Sequence, residues 1–253
     1  MCAESRRPLI SIITVVLNGA KTLAATIESV HRQTFRDFEY LVLDGGSTDG
    51  TIGILERHRE HVTHWTSEPD AGIYDAWNKA LRRARGEWIA FLGADDTYYP
   101  EALDSYARAI ADLPQSGTHY ISSRVHLEKD GKIVRTVGGA WTWPTFSRFM
   151  TVAHVGSLHH RSLFEQYGPF DASYRVCGDY ELLLRPRHLL RAAFVDRVTV
   201  KMALGGVSNS NVTLALREQE RAKRVAGGRP AWICAMERKT AHIKALRRSI
   251  FGH

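Results

Sequence analysis

The chain has 253 residues, of which 44% are apolar and 24% charged, and its formal net charge at pH 7 is +7. This length and apolar content exclude a disordered chain and suffice for one large α/β domain, alone or with a helical extension. No apolar run approaches the roughly 18 residues that cross a bilayer, and residues 1–8 are short and polar, so we expect a soluble, cytoplasmic protein.

Strands and helices alternate through the first half of the chain. The predicted strands are 9–16, 38–43, 64–66 and 87–92, and the predicted helices are 20–33, 51–61 and 71–85. Strands that alternate with helices at these lengths form a mostly parallel sheet flanked by helices, connected by right-handed crossovers. The first half therefore predicts a doubly wound α/β fold.

The second half of the chain has a less regular pattern. Residues 120–137 predict a long hairpin that turns at Asp130-Gly131, and the aromatic stretch 141–150 is typical of a loop that shapes a pocket. Short helices are predicted at 161–167 and 180–185, a strand at 193–202, and a helix from 214 onward that breaks at 227–230. We divide the chain into an α/β domain, 1–210, and a helical C-terminal extension, 211–253.

The extension carries the positive charge. Residues 217–248 contain ten Lys and Arg against three Glu, a local charge of +7, so the rest of the chain is close to neutral. Its final helix places apolar residues on one stripe, with basic residues beside it. The apolar residues are Trp232, Met236, Ile243, Leu246 and Ile250. Such a helix is typical of attachment to an anionic membrane surface, with packing against the domain as the alternative and nucleic acid a poorer match. We expect peripheral association with the inner face of the plasma membrane.

The three cysteines do not indicate a metal centre or a disulfide. Cys2, Cys177 and Cys234 are far apart and lack the spacing of zinc ligands, so free thiols are expected.

Acidic loops follow two of the predicted strands. Asp44 precedes two glycines after strand 38–43, and Asp95 and Asp96 follow strand 87–92. The carboxyl ends of parallel strands meet at one edge of the sheet, where open α/β folds bind ligands. Asp44 could accept hydrogen bonds from a nucleoside, and the Asp95-Asp96 pair suits Mg²⁺ or Mn²⁺ with a diphosphate, although a solvated turn is the simpler interpretation of that pair alone.

Other polar residues precede or line predicted helices. Asp70 can cap helix 71–85, whose Asp75 and Asn78 form either a solvent-facing stripe or a nucleotide contact. Asp179 lies just before an apolar helical turn, as an N-cap, a general base or both. His154 is the one candidate among His154, His159 and His160, which lack metal-ligand spacing on a helix.

The segments 11–18, 44–51, 68–78, 91–96 and 178–185, in this order and spacing, resemble a family 2 glycosyltransferase with the Rossmann-like GT-A fold. The resemblance covers about residues 9 to 208. It is strongest to small bacterial enzymes of surface-polysaccharide or glycolipid assembly, which also carry segments like 154–185 and like Gly-Gly-Val-Ser at 205–208.

The resemblance implies an inverting transfer of one sugar from a nucleotide-diphosphate sugar to a hydroxyl of a glycan or lipid-linked acceptor. Asp179 would be the general base, and Mn²⁺ or Mg²⁺ would be held by Asp95 with Asp96. Gly93 stands where the family's Asp-x-Asp has its first Asp. The candidate donor-binding residues are Thr14, Asn18, Asp44, Ser47, Asp70, Asp75, Asn78 and Asp95. His154 and Trp141 are the candidates on the acceptor side.

Three alternatives remain open at this point. A processive polysaccharide synthase fits less well, because the chain has no Gln-x-x-Arg-Trp and no predicted transmembrane helix. A sugar-nucleotide pyrophosphorylase would need a glycine-rich, arginine-bearing loop after the first strand, where this chain has Leu17-Asn18-Gly19-Ala20. A catalytically silent nucleotide-sugar-binding or scaffold protein is the alternative that Gly93 favours.

Overall fold

A mixed sheet forms the centre of the molecule. The structure is a computed structural model that describes residues 6–113, 117–205 and 211–251, and it describes only the backbone of residues 243–251. Its strands are β1 (Ile10–Val16), β2 (Phe38–Asp44), β3 (His64–Ser67), β4 (Trp88–Phe91), β5 (Thr97–Tyr98), β6 (Tyr120–Lys129), β7 (Lys132–Val137), β8 (Ser157–His160) and β9 (Ala192–Ala203). The helices are α1 (Leu23–His31), α2 (Thr51–Arg57), α3 (Ile73–Arg83), α4 (Ala102–Ala111), α5 (Trp143–Phe146), α6 (Arg161–Tyr167), α7 (Gly178–Leu184), α8 (Val212–Val225) and α9 (Ala231–Phe251). Short 3₁₀ turns cover Arg59–His61, His154–Gly156 and Arg187–Leu189.

The strand order is β3-β2-β1-β4-β8-β6-β9-β5, and β7 pairs with β6. Strands β3, β2, β1 and β4 are parallel, as are β6 and β9, and these pairs carry most of the paired positions. Strand β8 runs antiparallel between β4 and β6. The predicted mostly parallel sheet flanked by helices is confirmed.

Apolar side chains cover both faces of the sheet, because successive residues of a strand point to opposite sides. Ile12 of β1 packs with Ile27 of α1 and Leu103 of α4 on one face. Ile13 packs with Trp77 of α3 and Leu183 of α7 on the other. The polar loops at the carboxyl ends of the strands are thus held on a rigid two-sided core.

The C-terminal helices pack on the α/β core through α8, which lies against α7. Helix α9 returns along α8, where Lys223 pairs with Glu237 at 3.0 Å. On the outer side of α9, Trp232 is 67% exposed and Met236 is 61% exposed. The boundary at residue 210 stays a prediction, since residues 206–210 lie outside the described residues, as do the side chains of Ile243, Leu246 and Ile250.

Two further sequence predictions concern cysteines and membrane spans. Cys177 and Cys234 are buried free thiols, and Cys2 lies outside the described residues. Among the helices of the described ranges, none combines the length and the apolar character that crossing a bilayer requires.

Candidate active site

The loops that follow β1 and β2 are joined by hydrogen bonds. The Asn18 N–H donates to Ser47 Oγ at 2.7 Å, and Asn18 Oδ1 accepts from the Thr48 N–H at 2.9 Å. The Gly19 N–H donates to Thr51 Oγ1 at 2.9 Å. Asn18 and Ser47, two predicted donor-binding residues, thus use these groups to fix one loop against the other.

Asp44 ends β2 and is 1% exposed. Its Oδ2 accepts from the N–H groups of Gly46 and Ser47, both at 2.9 Å, and from Ser67 Oγ at 2.7 Å. Its Oδ1 is buried and has no hydrogen-bond partner among the described residues. A buried carboxylate oxygen without a donor is costly, so Asp44 offers an acceptor to a ligand.

Asp70 lies beside Asp44, over the backbone of Gly45. A Cβ on Gly45 would be 2.5 Å from Asp70 Oδ2, so any larger residue would displace this carboxylate. Asp70 Oδ1 accepts from the Gly72 N–H at 2.8 Å, just before α3. The structure therefore brings Asp44 and Asp70 together, as the sequence predicts.

The other predicted donor-side residues have partners within the protein. Thr14 is fully buried in β1, and its hydroxyl accepts from Tyr40 Oη at 3.1 Å. Asp75 accepts from the Ala71 N–H at 3.0 Å, and this hydrogen bond lowers the pKa of Asp75.

Asn78, also predicted to contact the donor, binds the backbone of a distant loop. Its Nδ2 donates to the Phe170 carbonyl at 2.8 Å, and its Oδ1 accepts from the Phe170 N–H at 3.0 Å. Asn78 therefore ties α3 to the loop that precedes α7.

Two carboxylates converge over Gly93 at the end of β4. A Cβ on Gly93 would lie 2.6 Å from Asp96 Oδ2 and 3.0 Å from Asp95 Oδ1. Burial, and secondarily the charge of Asp95, raises the pKa of Asp96 to about 7. Asp95 is exposed, whereas Asp96 is 3% exposed and accepts from the Ala203 N–H at 2.9 Å. Gly93 thus provides the space in which both carboxylates point the same way.

Asp179 lies in the first turn of α7. Its Oδ1 accepts from the Tyr180 N–H at 2.8 Å and from Tyr74 Oη at 3.3 Å. Burial raises the pKa of Asp179 to about 6. Within the described part of the chain, no hydrogen bond to Asp179 Oδ2 is found. Asp179 therefore combines a fixed oxygen with a free one and stays ionised at neutral pH.

Contacts from α3 place Asp179 next to the donor-side loops. The ring of Tyr74 lies 2.8 Å from the position of a Cβ on Gly178, so glycine is needed directly before Asp179. Arg175 donates to the Ala71 carbonyl at the start of α3. Because α3 begins beside Asp70, Asp179 lies on the same edge of the sheet as the other acidic residues.

Glu218 of α8 holds the segment that leads to Asp179, and the sequence analysis did not identify it. Its Oε1 accepts from the Arg175 N–H at 2.8 Å, and its Oε2 accepts from the N–H groups of Val176 at 2.8 Å and Cys177 at 2.9 Å. The signal available in the sequence is a carboxylate between two alanines at helical spacing, since the buried positions of α8 are Ala215, Glu218, Ala222 and Lys223.

His154 lies in an aromatic cluster behind the site. It is 8% exposed, and its ring stacks on Trp77 at 4.9 Å and on Phe91 at 5.3 Å between centroids. Burial lowers the pKa of His154 to about 3, so the ring is neutral at physiological pH. Its Nε2 is buried and lacks a partner among the described residues.

The ring of Phe146 lies between Trp141 and Tyr180, the residue that follows Asp179. The ring centroids of Trp141 and Phe146 are 5.7 Å apart, and those of Phe146 and Tyr180 are 5.1 Å apart. The Trp141 Nε1 is buried and has no partner in the described part of the chain, so it can donate to a ligand.

The mixed sheet flanked by helices is a GT-A fold. The sequence profile described as "Glycosyl transferase family 2" matches residues 11–151. A "PGL/p-HBAD biosynthesis glycosyltransferase" of Mycobacterium bovis is 34% identical over 224 residues, which cover 81% of each chain. The chain belongs to glycosyltransferase family 2, and it is a glycosyltransferase.

Solved structures share the fold. TarS of S. aureus in complex with UDP-GlcNAc has a TM-score of 0.66 and 18% identity, over 84% of this chain and 66% of that chain. This chain spans only 39% of a longer TarS chain. Glucosyl-3-phosphoglycerate synthase of Mycobacterium tuberculosis, in complex with Mn²⁺, UDP and glucosyl-3-phosphoglycerate, has a TM-score of 0.62 and 18% identity, over 88% of this chain and 81% of that chain.

Proposed function

We propose that the enzyme transfers one sugar from a nucleotide-diphosphate sugar to a hydroxyl of a glycan or lipid-linked acceptor, with inversion at the anomeric carbon. The observation that carries the proposal is the gathering of three acidic positions at one sheet edge: Asp44 with Asp70, Asp95 with Asp96, and Asp179. Each has a different environment and so a different role.

Asp44 and Asp70 bind the nucleoside of the donor. The buried Asp44 Oδ1 lacks a donor, and a base N–H or a ribose hydroxyl would satisfy it. Gly45 lets the Asp70 carboxylate approach the same space. TarS and glucosyl-3-phosphoglycerate synthase bind UDP, and a mannosyltransferase of Pyrobaculum calidifontis binds GDP-Man, which supports a nucleoside diphosphate at this position.

Asp95 and Asp96 fit a divalent cation. Their carboxylates crowd over Gly93, and the pKa of Asp96 is raised by its burial and secondarily by the charge of Asp95, a cost that a cation would offset. Carboxylate oxygens are the ligands of Mn²⁺ and Mg²⁺, and the Mn²⁺ in glucosyl-3-phosphoglycerate synthase supports this assignment. When bound, the ion would neutralise charge on the departing nucleoside diphosphate.

Asp179 is the general base. A carboxylate with a pKa of about 6 is ionised at pH 7 yet basic enough to accept a proton in the transition state. Asp179 Oδ2 takes the proton of the acceptor hydroxyl as the hydroxyl oxygen bonds to the anomeric carbon and the bond to the leaving oxygen breaks. Tyr74 and the Tyr180 N–H orient the carboxylate through Oδ1. A single displacement from the opposite face inverts the anomeric carbon.

A donor screen tests the proposal. Thermal unfolding is followed with UDP-, GDP- and TDP-sugars, with and without Mn²⁺, because a ligand at 100 times its Kd adds about 2.7 kcal/mol to the stability. We expect one donor class to raise the Tm of the wild type and of Asp112→Asn, an exposed control, but not of Asp44→Asn. Release of the nucleoside diphosphate should fall in Asp95→Ala. Donor binding without turnover would support the silent binding protein instead.

The outer face of α9 attaches the enzyme to an anionic membrane surface. Trp232 and Met236 are exposed one helical turn apart, and the exposed Lys239 follows Met236 by three residues. Cys234 is buried, and Glu237 pairs with Lys223 of α8. Exposed aromatic and apolar residues beside basic ones fit the interface of a bilayer. Attachment would bring the site near a lipid-linked acceptor in the cytoplasmic leaflet.

Vesicle sedimentation tests the attachment with two matched variants. Trp232→Ser/Met236→Ser should lose binding to anionic vesicles. Ile133→Ser/Val134→Ser, which removes two side chains 52% and 53% exposed on β7, should keep it. Equal sedimentation of both double variants would show that α9 is not the attachment surface.

A further inference from the structure

A cluster of one carboxylate and two imidazoles lies away from the acidic edge. Glu28 is near the end of α1, and His58 and His61 lie between α2 and β3. Helix α1 follows the carboxyl end of β1 and runs back for nine residues, a rise of about 13 Å. His61 precedes β3, which is parallel to β2. The cluster is therefore at the amino-end edge of the sheet, opposite Asp44 and Asp95.

The three side chains point their ligand atoms at one another. His58 Nδ1 lies 3.8 Å and His61 Nδ1 lies 3.9 Å from Glu28 Oε1, and the three atoms are all within 4.8 Å of one another. These separations are too long for hydrogen bonds. His61 Nδ1 is buried and has no hydrogen-bond partner among the described residues. The three ligand atoms thus face one another, and no donor among the described residues satisfies His61 Nδ1.

Neighbouring groups fix the orientation of this cluster. The 3₁₀ turn Arg59–His61 aligns positions i and i+3, which places His58 and His61 on the same side. His31 stacks on His61 with 3.8 Å between ring centroids and 14° between planes. Arg32 holds Glu28 Oε2 at 3.1 Å, which leaves Oε1 directed at the imidazoles. Such outer contacts are typical of metal sites, where they orient the ligands.

We propose that Glu28, His58 and His61 bind one Zn²⁺ ion, distinct from the cation of the Asp95 site. Tetrahedral zinc with bonds of about 2.1 Å to nitrogen and oxygen sets its ligand atoms about 3.4 Å apart. The separations of 3.8 and 3.9 Å from Glu28 Oε1 need a contraction of only a few tenths of an ångström, and the two imidazole nitrogens, which are within 4.8 Å of each other, would also approach. Two imidazoles and one carboxylate suit zinc better than Mg²⁺ or Ca²⁺, which prefer oxygen.

The ion would join the end of α1 to the turn between α2 and β3. The three side chains are 21% to 33% exposed, so the ion can enter from solvent and keep water as its fourth ligand. Its role is to stabilise the helical face opposite α3 and α7, and it does not depend on sugar transfer.

Calorimetric titration of the full chain with Zn²⁺, after treatment with a chelator, tests the site. In Asp95→Ala, which removes the other cation site, we expect one equivalent to bind, and Glu28→Gln and His58→Ala, each added to Asp95→Ala, to weaken binding at least about tenfold. His188→Ala added to Asp95→Ala, which removes an exposed histidine elsewhere, should leave this binding unchanged. Co²⁺ as a substitute should give the visible absorption of a four-coordinate ion in the wild type and lose it in His58→Ala.

Thermal unfolding distinguishes the loss of the zinc site from a defect in folding. Zn²⁺ should raise the Tm of the wild type, of Asp95→Ala and of His188→Ala added to Asp95→Ala, and leave the Tm of Glu28→Gln added to Asp95→Ala unchanged. Absence of zinc binding by the wild type would overturn the proposal. Binding of equal strength with Glu28→Gln and with His58→Ala added to Asp95→Ala would also overturn it.

Discussion

Removal of the Glu218 carboxylate should loosen the segment that positions Asp179. Glu218 is 7% exposed and accepts three backbone N–H groups, from Arg175, Val176 and Cys177. A hydrogen bond to a charged group contributes about 1.5–3 kcal/mol, and three bonds to one carboxylate are not additive. We therefore expect Glu218→Ala to lower the free energy of unfolding by about 3 kcal/mol.

Thermal unfolding and kinetics measure the two consequences of this change. A loss of 3 kcal/mol corresponds to a Tm decrease of about 6–12 °C in a chain of this size. Arg224→Ala, on the exposed side of the same helix, should change stability by less than about 0.5 kcal/mol. Below the Tm of both variants, Glu218→Ala should lower kcat more than it raises the KM for the donor, because Asp44 and Asp70 are untouched. A Tm and a kcat equal to those of Arg224→Ala would refute this reasoning.

Three further variants test other parts of the site. Asp96 has a pKa of about 7 in the folded state against an ordinary 3.8. Its ionisation therefore destabilises the folded state increasingly from pH 4 to pH 7 and fully above pH 7, and has no effect below pH 4. With a chelator present, Asp96→Asn should raise the free energy of unfolding by roughly 1 kcal/mol or more at pH 8 and leave it unchanged at pH 4. Denaturant unfolding measures this difference, and an unchanged free energy of unfolding at pH 8 would contradict the prediction. Gly93→Ala places a Cβ 2.6 Å from Asp96 Oδ2 and should lower both kcat and the affinity for Mn²⁺. A Mn²⁺ titration of the variant equal to that of the wild type would disprove this. Asn78→Ala loses two hydrogen bonds to Phe170 and should cost about 2 kcal/mol by thermal unfolding, whereas a wild-type Tm would count against that role.

The parallel half of the sheet could be predicted because local pattern and tertiary packing agree there. Strands β1, β2 and β4 are apolar on both faces, as a strand covered by helices on each side must be. Strand β8 could not be predicted, since its sequence Ser-Leu-His-His has no strand period. Its buried Ser157 has a distant partner, since Tyr120 Oη donates to Ser157 Oγ at 2.6 Å.

Residues of the candidate site could be predicted where they follow strands or begin helices. Asp44 and Asp95 follow parallel strands, whose carboxyl ends meet at one edge, whereas Asp179 begins a helix and its place beside them follows from its contact with Tyr74 of α3. Glu218 could not be assigned, because its partners are 41 to 43 residues away and only the packing of α8 on α7 reveals them. From the sequence, Gly93 indicates only that the first Asp of the family's Asp-x-Asp is absent, whereas the structure shows that it leaves space for Asp95 and Asp96.

The pH dependence of kcat/KM in the wild type, together with the kcat of Asp179→Asn, tests the assignment of the general base most directly. Burial raises the pKa of Asp179 to about 6 in the free enzyme, and only the ionised carboxylate can accept the acceptor's proton. The account predicts that wild-type kcat/KM falls about tenfold per pH unit below pH 6, and that Asp179→Asn loses at least about 100-fold in kcat while it still binds the donor. A variant Asp179→Asn with the kcat and the pH profile of the wild type would contradict it.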